Sequence, residues 1–250
     1  MRRTLLALLL AVSAAACSGG GDPDPADLVG KVPDAIEEER TARLEMTVDF
    51  SMEGVEANVT GEGVVDLVEG AGWFDTTVLG SEIQMRTDGE LIFVRTPREP
   101  RWLATSAEAA GSASFGGGPV GAIAFVDLLR AANDDVEELG EEEVRGLETT
   151  HVRVHTDVDQ AIADAPTARA TVLEGLAPLA PDGPLPMEVW LTDDGVPLRL
   201  RVEGEVEGMS IRVTVDLSSF GAELGVEIPP EGEIRDIEPD ELESLFAPAP

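Results

Sequence analysis

Residues 44–50 read LEMTVDF, and this stretch decides the fold class. Apolar side chains occupy every second position, while glutamate, threonine and aspartate occupy the positions between them. Successive side chains of an extended strand point to opposite faces, so this alternation predicts a strand with one face buried. The chain therefore has a half-buried strand near its N-terminal end.

Further strands are predicted downstream of it. Short runs of strand-forming residues follow at 55–60, 63–68, 72–78, 83–86 and 91–95. The last two flank Asp88-Gly89, and Asp-Gly between alternating runs is a strong hairpin signal. Since no helical pattern interrupts residues 41–104, this part is predicted to be an antiparallel meander of five or six strands.

The rest of the chain mixes helices with strands. A weak helix is predicted over 26–40, where Asp34 and Glu37 have the spacing of a capping box. Two amphipathic helices are predicted at 122–132 and 167–180. The remaining strands are predicted at 147–156, 187–192, 197–203 and 210–217, and the tail from 229 is expected to be irregular. This order predicts an α+β fold, with one antiparallel sheet and helices on one of its faces.

Charge excludes one class of partner. The chain has 50 acidic and 17 basic side chains, and its formal net charge is −33. Such a surface repels phosphate backbones, so no nucleic-acid binding is expected. It also repels anionic lipid headgroups, so attachment to a membrane needs something other than charge.

The N-terminus predicts export and a lipid anchor. Arg2 and Arg3 precede a short apolar run at 5–12, and small residues lead to Cys17, the only cysteine. The apolar run is much shorter than the roughly 20 residues of a membrane span. We predict a signal peptide at 1–16 and a lipidated Cys17 on a flexible tether at 17–25, which would hold the protein to the outer face of the cell membrane. The alternative is an ordinary secreted protein with an incidental Cys17.

No pattern predicts catalysis. His151 and His155 are the only histidines, and on a predicted strand they lie roughly 13 Å apart, too far to share a metal. Neither a nucleophile elbow nor a phosphate-binding loop is found. We expect a binding protein that is not an enzyme, with no metal and no cofactor.

The order of several segments resembles a known family. Trp102 follows the segment DGELIFV at 88–94, and GLETTHVRV at 146–154 is followed by MEVWLTDDGVPLR at 187–199. The series ends with VDLSSFG at 215–221 and VEIPP at 226–230. This order, behind a lipobox, resembles the LprG/LppX-type lipoproteins of mycobacteria and other actinobacteria over most of residues 26–236.

The resemblance implies a LolA/LolB-like fold, a curved antiparallel β half-barrel with helices covering its concave face. It also implies that residues 26–236 bind acylated lipids or lipoglycans in an apolar cavity. From its composition, 237–250 is predicted to be an acidic, proline-bearing tail. The loop 105–119 would be the gate, and a monomer is expected. The residues predicted to face the cavity are Met46, Val48, Val65, Met85, Phe93, Phe125, Leu129 and Leu173.

Two alternatives stay open at this point. The same apolar residues would look identical in sequence if they filled a solid core. The fold could also serve a sensor or interaction module that carries no lipid and meets an envelope protein through its acidic surface.

Overall fold

The computed structural model describes residues 23–78, 80–108, 118–181, 183–206, 208–238 and 241–242. The predicted signal peptide, Cys17, most of the predicted gate loop and most of the tail lie outside these residues.

One sheet of twelve strands is found in the described part of the chain. Its strands are β1 (Thr41–Met52), β2 (Val55–Asp66), β3 (Gly72–Val78), β4 (Ser81–Thr87), β5 (Leu91–Thr96), β6 (Glu99–Ser106), β7 (Ala132–Val144), β8 (Leu147–Thr156), β9 (Leu185–Leu191), β10 (Pro197–Val206), β11 (Met209–Ser218) and β12 (Ile234–Asp236).

The sheet is open and curved, and its order is β12-β6-β5-β4-β3-β2-β1-β11-β10-β9-β8-β7. The predicted antiparallel meander is confirmed as the six consecutive strands β1 to β6, although the predicted strands at 55–60 and 63–68 form the single strand β2. Strand β11 closes back on β1, with Leu44 opposite Leu217, so the N-terminal and C-terminal halves share one sheet. All neighbours are antiparallel except β12, which runs parallel to β6.

Four α-helices are described: α1 (Pro25–Glu39), α2 (Gly118–Arg130), α3 (Val158–Asp164) and α4 (Thr167–Leu176). A 3₁₀ turn at Ala177–Leu179 follows α4, and another lies at Glu231–Glu233. Helix α1 begins at Pro25, almost three turns earlier than a cap at Asp34 would require. Asp24 accepts a hydrogen bond from the Ala26 amide at 3.0 Å, and the helix continues through Pro33. The predicted capping box at Asp34 and Glu37 is therefore wrong.

Four strands and helices were absent from the sequence-based prediction. Strand β6 lies partly within the range of the predicted meander but was not assigned as a strand of its own. Strand β7 was missed because its residues are mostly acidic and lack an apolar alternation. Helix α3 is only seven residues long, although Asp157 caps it through the Gln160 amide. Strand β12 lies in the tail that was expected to be irregular, and it pairs with β6 over only three residues.

The main core lies between the sheet and the helices. We call the face of the sheet that carries this core the inner face, and the opposite face the outer face. Leu28, Val32 and Ile36 of α1 and most apolar side chains of α2 join this core. Two smaller clusters lie on the outer face, around Trp102 and around Trp190.

Candidate functional site

Four neighbouring strands, β2, β1, β11 and β10, place apolar residues in straight rows across the inner face. Their antiparallel register brings every second residue of each strand opposite its neighbour. We call this set the apolar track, the end at the hairpin turns its tip and the opposite end its base. From tip to base its rows are Val55, Met52, Met209 and Val206, then Ala57, Phe50, Ile211 and Gly204, then Val59, Val48, Val213 and Val202, then Gly61, Met46, Val215 and Leu200.

The track is exposed at its tip and buried at its base. At the tip, the side chains of Met52 and Val55 are 52% and 71% exposed. Three rows further towards the base, Met46 is 5% exposed and Val215 is fully buried. At about 3.3 Å per residue, the six residues from Met52 to Met46 span about 20 Å. This exceeds the thickness of one leaflet's hydrocarbon, about 15 Å.

Helices α2 and α4 cover the base. Phe125 and Leu129 of α2 and Leu173 of α4 are buried in the same cluster as Met46 and Val48. Leu179, in the 3₁₀ turn after α4, packs against Gly204, in the row next to the tip, so closely that a Cβ there would lie 2.9 Å from the leucine. On the β10 side, the helices and this turn therefore cover the track from its base to the row next to the tip, and they leave Met52 and Val55 exposed.

A buried ion pair joins the two covering helices. Arg169 of α4 places its Nε 2.8 Å from Oδ2 of Asp127 in α2, and Arg130 donates to Oδ1 at 2.9 Å. Arg169 also donates to the carbonyl oxygen of Val68, in the turn between β2 and β3, at 3.1 Å. Burial raises the pKa of Asp127 despite both arginines, and burial likewise lowers the pKa of Arg169.

All methionines of the described residues face the inner side. Met46, Met85 and Met187 are buried in the main core, and Met52 and Met209 lie in the tip row. Methionine has an unbranched, flexible side chain that adapts to irregular shapes. The inner face is therefore lined at five points by side chains that can move aside at low cost.

The structure brings seven of the eight predicted cavity residues together. They share one buried cluster between the sheet and the helices, and they are Met46, Val48, Val65, Met85, Phe125, Leu129 and Leu173. Phe93 lies elsewhere. In β5 its neighbours Ile92 and Val94 point inwards, so Phe93 points to the outer face, where it packs with Trp102 and Ala104.

The predicted site residues did not include the two rows of the track nearest its tip. Phe50, Ala57, Val206 and Met209 were not among the expected site residues, although Phe50 belongs to the alternation of β1. Extending that alternation by one step to Met52 would have reached the tip. Only the strand register shows that the other three residues join the same rows.

Two grooves in the described part of the chain are lined mostly by residues of the outer face. One, of about 870 Å³, has two walls of outward-facing residues from β2, β1, β11 and β10, among them Asp49, Glu56, Glu203 and Glu205, and the track row Ala57, Phe50, Ile211 and Gly204 lies between these walls. A second, of about 540 Å³, has similar walls that include Glu45, Glu62 and Asp75, with Met46, Gly61 and Ile83 between them. These carboxylates make both grooves unsuitable for acyl chains. On the inner side, a cavity of about 60 Å³ lies at the base, beside Ile123 and Arg169.

The two histidines lie on the outer face of β8. His151 stacks on the Trp190 ring, with 3.9 Å between ring centroids, and lies between Glu142 and Glu188. His155 lies 3.6 Å from Asp135. In the part of the chain that the structure describes, no group of three or more histidine, cysteine, aspartate or glutamate side chains could hold a metal ion.

Among the described helices, none combines the length and the hydropathy that crossing a membrane would require.

The fold of this chain is similar to that of lipoproteins of known structure. No protein-family model matches the chain, and the search of curated sequences finds no match. Among solved structures, lipoprotein LppX of Mycobacterium tuberculosis is 14% identical with a TM-score of 0.51, and the match covers 83% of this chain and all of that one. LprF of Mycobacterium bovis is 15% identical with a TM-score of 0.52, and its match covers 84% of this chain and 99% of that one. The chain has the fold of these two lipoproteins, as the resemblance of its motif order to the LprG/LppX type implied.

Proposed function

We propose that the protein binds the acyl chains of a lipid along the apolar track and carries or presents that lipid in the cell envelope. The observation that carries this proposal is the gradient of burial along the track. An apolar surface runs without a polar interruption from two exposed side chains, Met52 and Val55, to the buried core at Met46.

Energetics favour such a surface as an acyl-chain site. Each CH₂ group of a lipid that leaves a bilayer and enters water costs about 0.8 kcal/mol. A carrier must therefore offer an apolar surface from which water is excluded. The track is about 20 Å long by its strand spacing, which accommodates an extended acyl segment longer than the hydrocarbon thickness of one leaflet, about 15 Å.

Flexible methionine side chains allow the track to make room for a bound acyl chain. The inner side is closely packed at the base, so a bound chain has to displace residues there. Met46 and Met85 are suited to this because a methionine can change rotamer without leaving an apolar environment. The pocket in this proposal is opened by the ligand at the base and is already accessible at the tip.

The first test uses neighbouring residues of β2 that point to opposite faces. Ala57 is exposed on the inner face opposite Phe50, whereas Asn58 is exposed on the outer face opposite Asp49. Ala57→Glu places a carboxylate in the track, and Asn58→Glu adds the same charge outside it. We expect Ala57→Glu to lower bound lipid by at least about tenfold, because a carboxylate among acyl chains loses its hydration.

Native mass spectrometry of the protein purified from its own host measures this occupancy. Circular dichroism checks that both variants are folded. Equal occupancy in the two variants, or a wild-type protein that carries no lipid and takes up none when offered, would refute acyl-chain binding at this track.

We propose that the anchor is an acylated Cys17. Arg2, Arg3, the short apolar run and the small residues before Cys17 support it. In the native host, Cys17→Ala should move the protein from the membrane fraction into the medium, while Ser18→Ala should leave it on the membrane. A membrane fraction that does not change in Cys17→Ala would rule out the lipid anchor.

A second function has one observation in its favour. The outer grooves lined by Asp49, Glu203 and Glu45 would suit a basic protein partner, as in a sensor or interaction module. Such a complex should weaken steeply as salt is raised, because its contacts are exposed. Isothermal titration with a captured partner at low and high salt would test it, and a binding constant that does not vary with salt would speak against it.

A further inference from the structure

Two hairpin turns lie side by side at the tip of the apolar track. The β1–β2 turn has positive φ at both central residues, Glu53 (51°) and Gly54 (82°), as in the tight two-residue turns that connect twisted strands. Met52 lies opposite Val55 across this turn and opposite Met209 of the β10–β11 hairpin. Val206 completes the row opposite Met209.

Exposure at this row is unusual for the molecule. Large hydrophobic residues that are well exposed in the described chain are few, and Met52 and Val55 are neighbours in one row, with 52% and 71% of their surfaces exposed. The others, Leu91, Leu147 and Ile228, lie in separate elements. The other two residues of the row, Met209 and Val206, are half-buried against the core. Isolated exposed apolar residues need no explanation, whereas two adjacent ones at the end of an apolar surface indicate a contact site.

We propose that this tip row, Val55, Met52, Met209 and Val206, docks on the surface of a lipid bilayer. The choice of a bilayer rests on the proposed function. A lipid can pass from a bilayer to the track without crossing water only if the exposed end of the track touches that bilayer. The tip row is the exposed end, and it is continuous with the rows that lead to Met46.

Charge around the row selects the kind of bilayer. Glu53, Glu56 and Glu205 are exposed beside the apolar side chains. These carboxylates repel a negatively charged surface, so the attraction at the tip comes from apolar contact alone. The row therefore docks on a bilayer of electroneutral headgroups in preference to an anionic one.

Vesicle flotation of the exported Cys17→Ser protein tests the docking without the anchor. The wild-type tip should float with phosphatidylcholine vesicles and float less with vesicles that contain phosphatidylglycerol. Met52→Glu with Val55→Glu should lower the bound fraction by at least about tenfold, since binding scales with buried apolar area. Leu91→Glu with Leu147→Glu removes the same number of exposed apolar side chains and adds the same charge elsewhere, so it should float as the wild type does.

Several results would overturn the docking. One is that the protein with the wild-type tip does not float with neutral vesicles. Another is that both double variants lose the same fraction of vesicle-bound protein. A third is that the Met52→Glu, Val55→Glu protein floats normally but no longer forms a dimer that the wild type forms in analytical ultracentrifugation. Lipid occupancy by native mass spectrometry separates this proposal from the previous one. Flotation without bound lipid supports docking and refutes lipid binding, while bound lipid without flotation does the reverse.

Discussion

Asp127 is a buried carboxylate between the two helices that cover the base of the track. It is 7% exposed, and its partners are Arg169 and Arg130. Removing only one member of a buried ion pair leaves the other charge without compensation, so this contact helps to specify how α2 and α4 pack. It thereby fixes the closed end of the proposed site.

Stability should respond to pH through this residue. Burial raises the pKa of Asp127 in the folded protein above its ordinary value of 3.8, which the unfolded chain keeps. At pH values between 3.8 and the raised pKa, the folded protein therefore binds more protons than the unfolded chain does. The contribution of Asp127 to stability is therefore fully present below pH 3.8 and is lost as pH rises through the folded pKa.

Asp127→Asn removes this titration. The free energy of unfolding of the wild type minus that of Asp127→Asn should fall as pH rises above 3.8, by at most about 1.4 kcal/mol per pH unit. Urea unfolding at a series of pH values measures the difference. Parallel pH profiles for the two proteins would contradict the prediction.

At the scale of elements, the β2–β3 hairpin depends on close backbone contact. Gly63 of β2 lies on the inner face, opposite Phe74 of β3. A Cβ at Gly63 would lie 2.0 Å from the Trp73 carbonyl oxygen, so no larger residue fits without a shift of the backbone. Glycine here permits a tight bend of the sheet, which contributes to the curvature of the half-barrel.

Gly63→Ala should therefore destabilise the protein by about 1–3 kcal/mol, as overpacked sites commonly do. Gly30→Ala is the matched control, because Gly30 lies within α1 and a Cβ there would have no atom within 4 Å. It should stabilise the protein by up to about 1 kcal/mol through helix propensity. Urea denaturation measures the free energy of unfolding of both variants. Equal values for the two variants would argue against a tight bend at Gly63.

At the scale of the whole molecule, charge opposes folding. With a net charge of −33, the compact state concentrates more repulsion than the unfolded chain does. Surface ion pairs such as Arg199 with Asp216, 2.5 Å apart, offset this only locally.

Salt should therefore stabilise the protein. Raising NaCl from about 0.01 M to about 1 M shortens the screening length from about 30 Å to about 3 Å. We expect the free energy of unfolding to rise by on the order of 1 kcal/mol, since repulsion among many carboxylates exceeds the loss of surface pairs. Thermal unfolding in NaCl and in KCl measures the effect, and a melting temperature that falls with salt would contradict it.

Much of the fold could be predicted because its signals are local. The alternation of residues 44–50 and the Asp-Gly turn at 88–89 were enough to predict β1 and the β4–β5 hairpin. Helices α2 and α4 were found from their apolar spacing. The resemblance to the LprG/LppX type then supplied the curvature and the covering helices, which no single segment encodes.

Other features depend on contacts between distant segments. Strand β7 carries few apolar residues and exists because β8 pairs with it, with Val144 opposite Leu147. Phe93 lies in an apolar run, Leu91–Val94, where every residue could face inwards, so sequence alone could not assign its face. The structure assigns it to the outer cluster with Trp102.

The sequence by itself determined the type of most elements and contains no recognisable catalytic motif, because each of these depends on residues close together in the chain. The proposed anchor at Cys17 is inferred from such a local pattern as well. Only the tertiary structure decided which apolar residues share a surface and which of them meet water. The track joins Met52 to Met209, more than 150 residues apart, through the pairing of β1 with β11. Strand register and burial are properties of assembled strands, so the exposed tip and the closed base appear only when all four strands are in place.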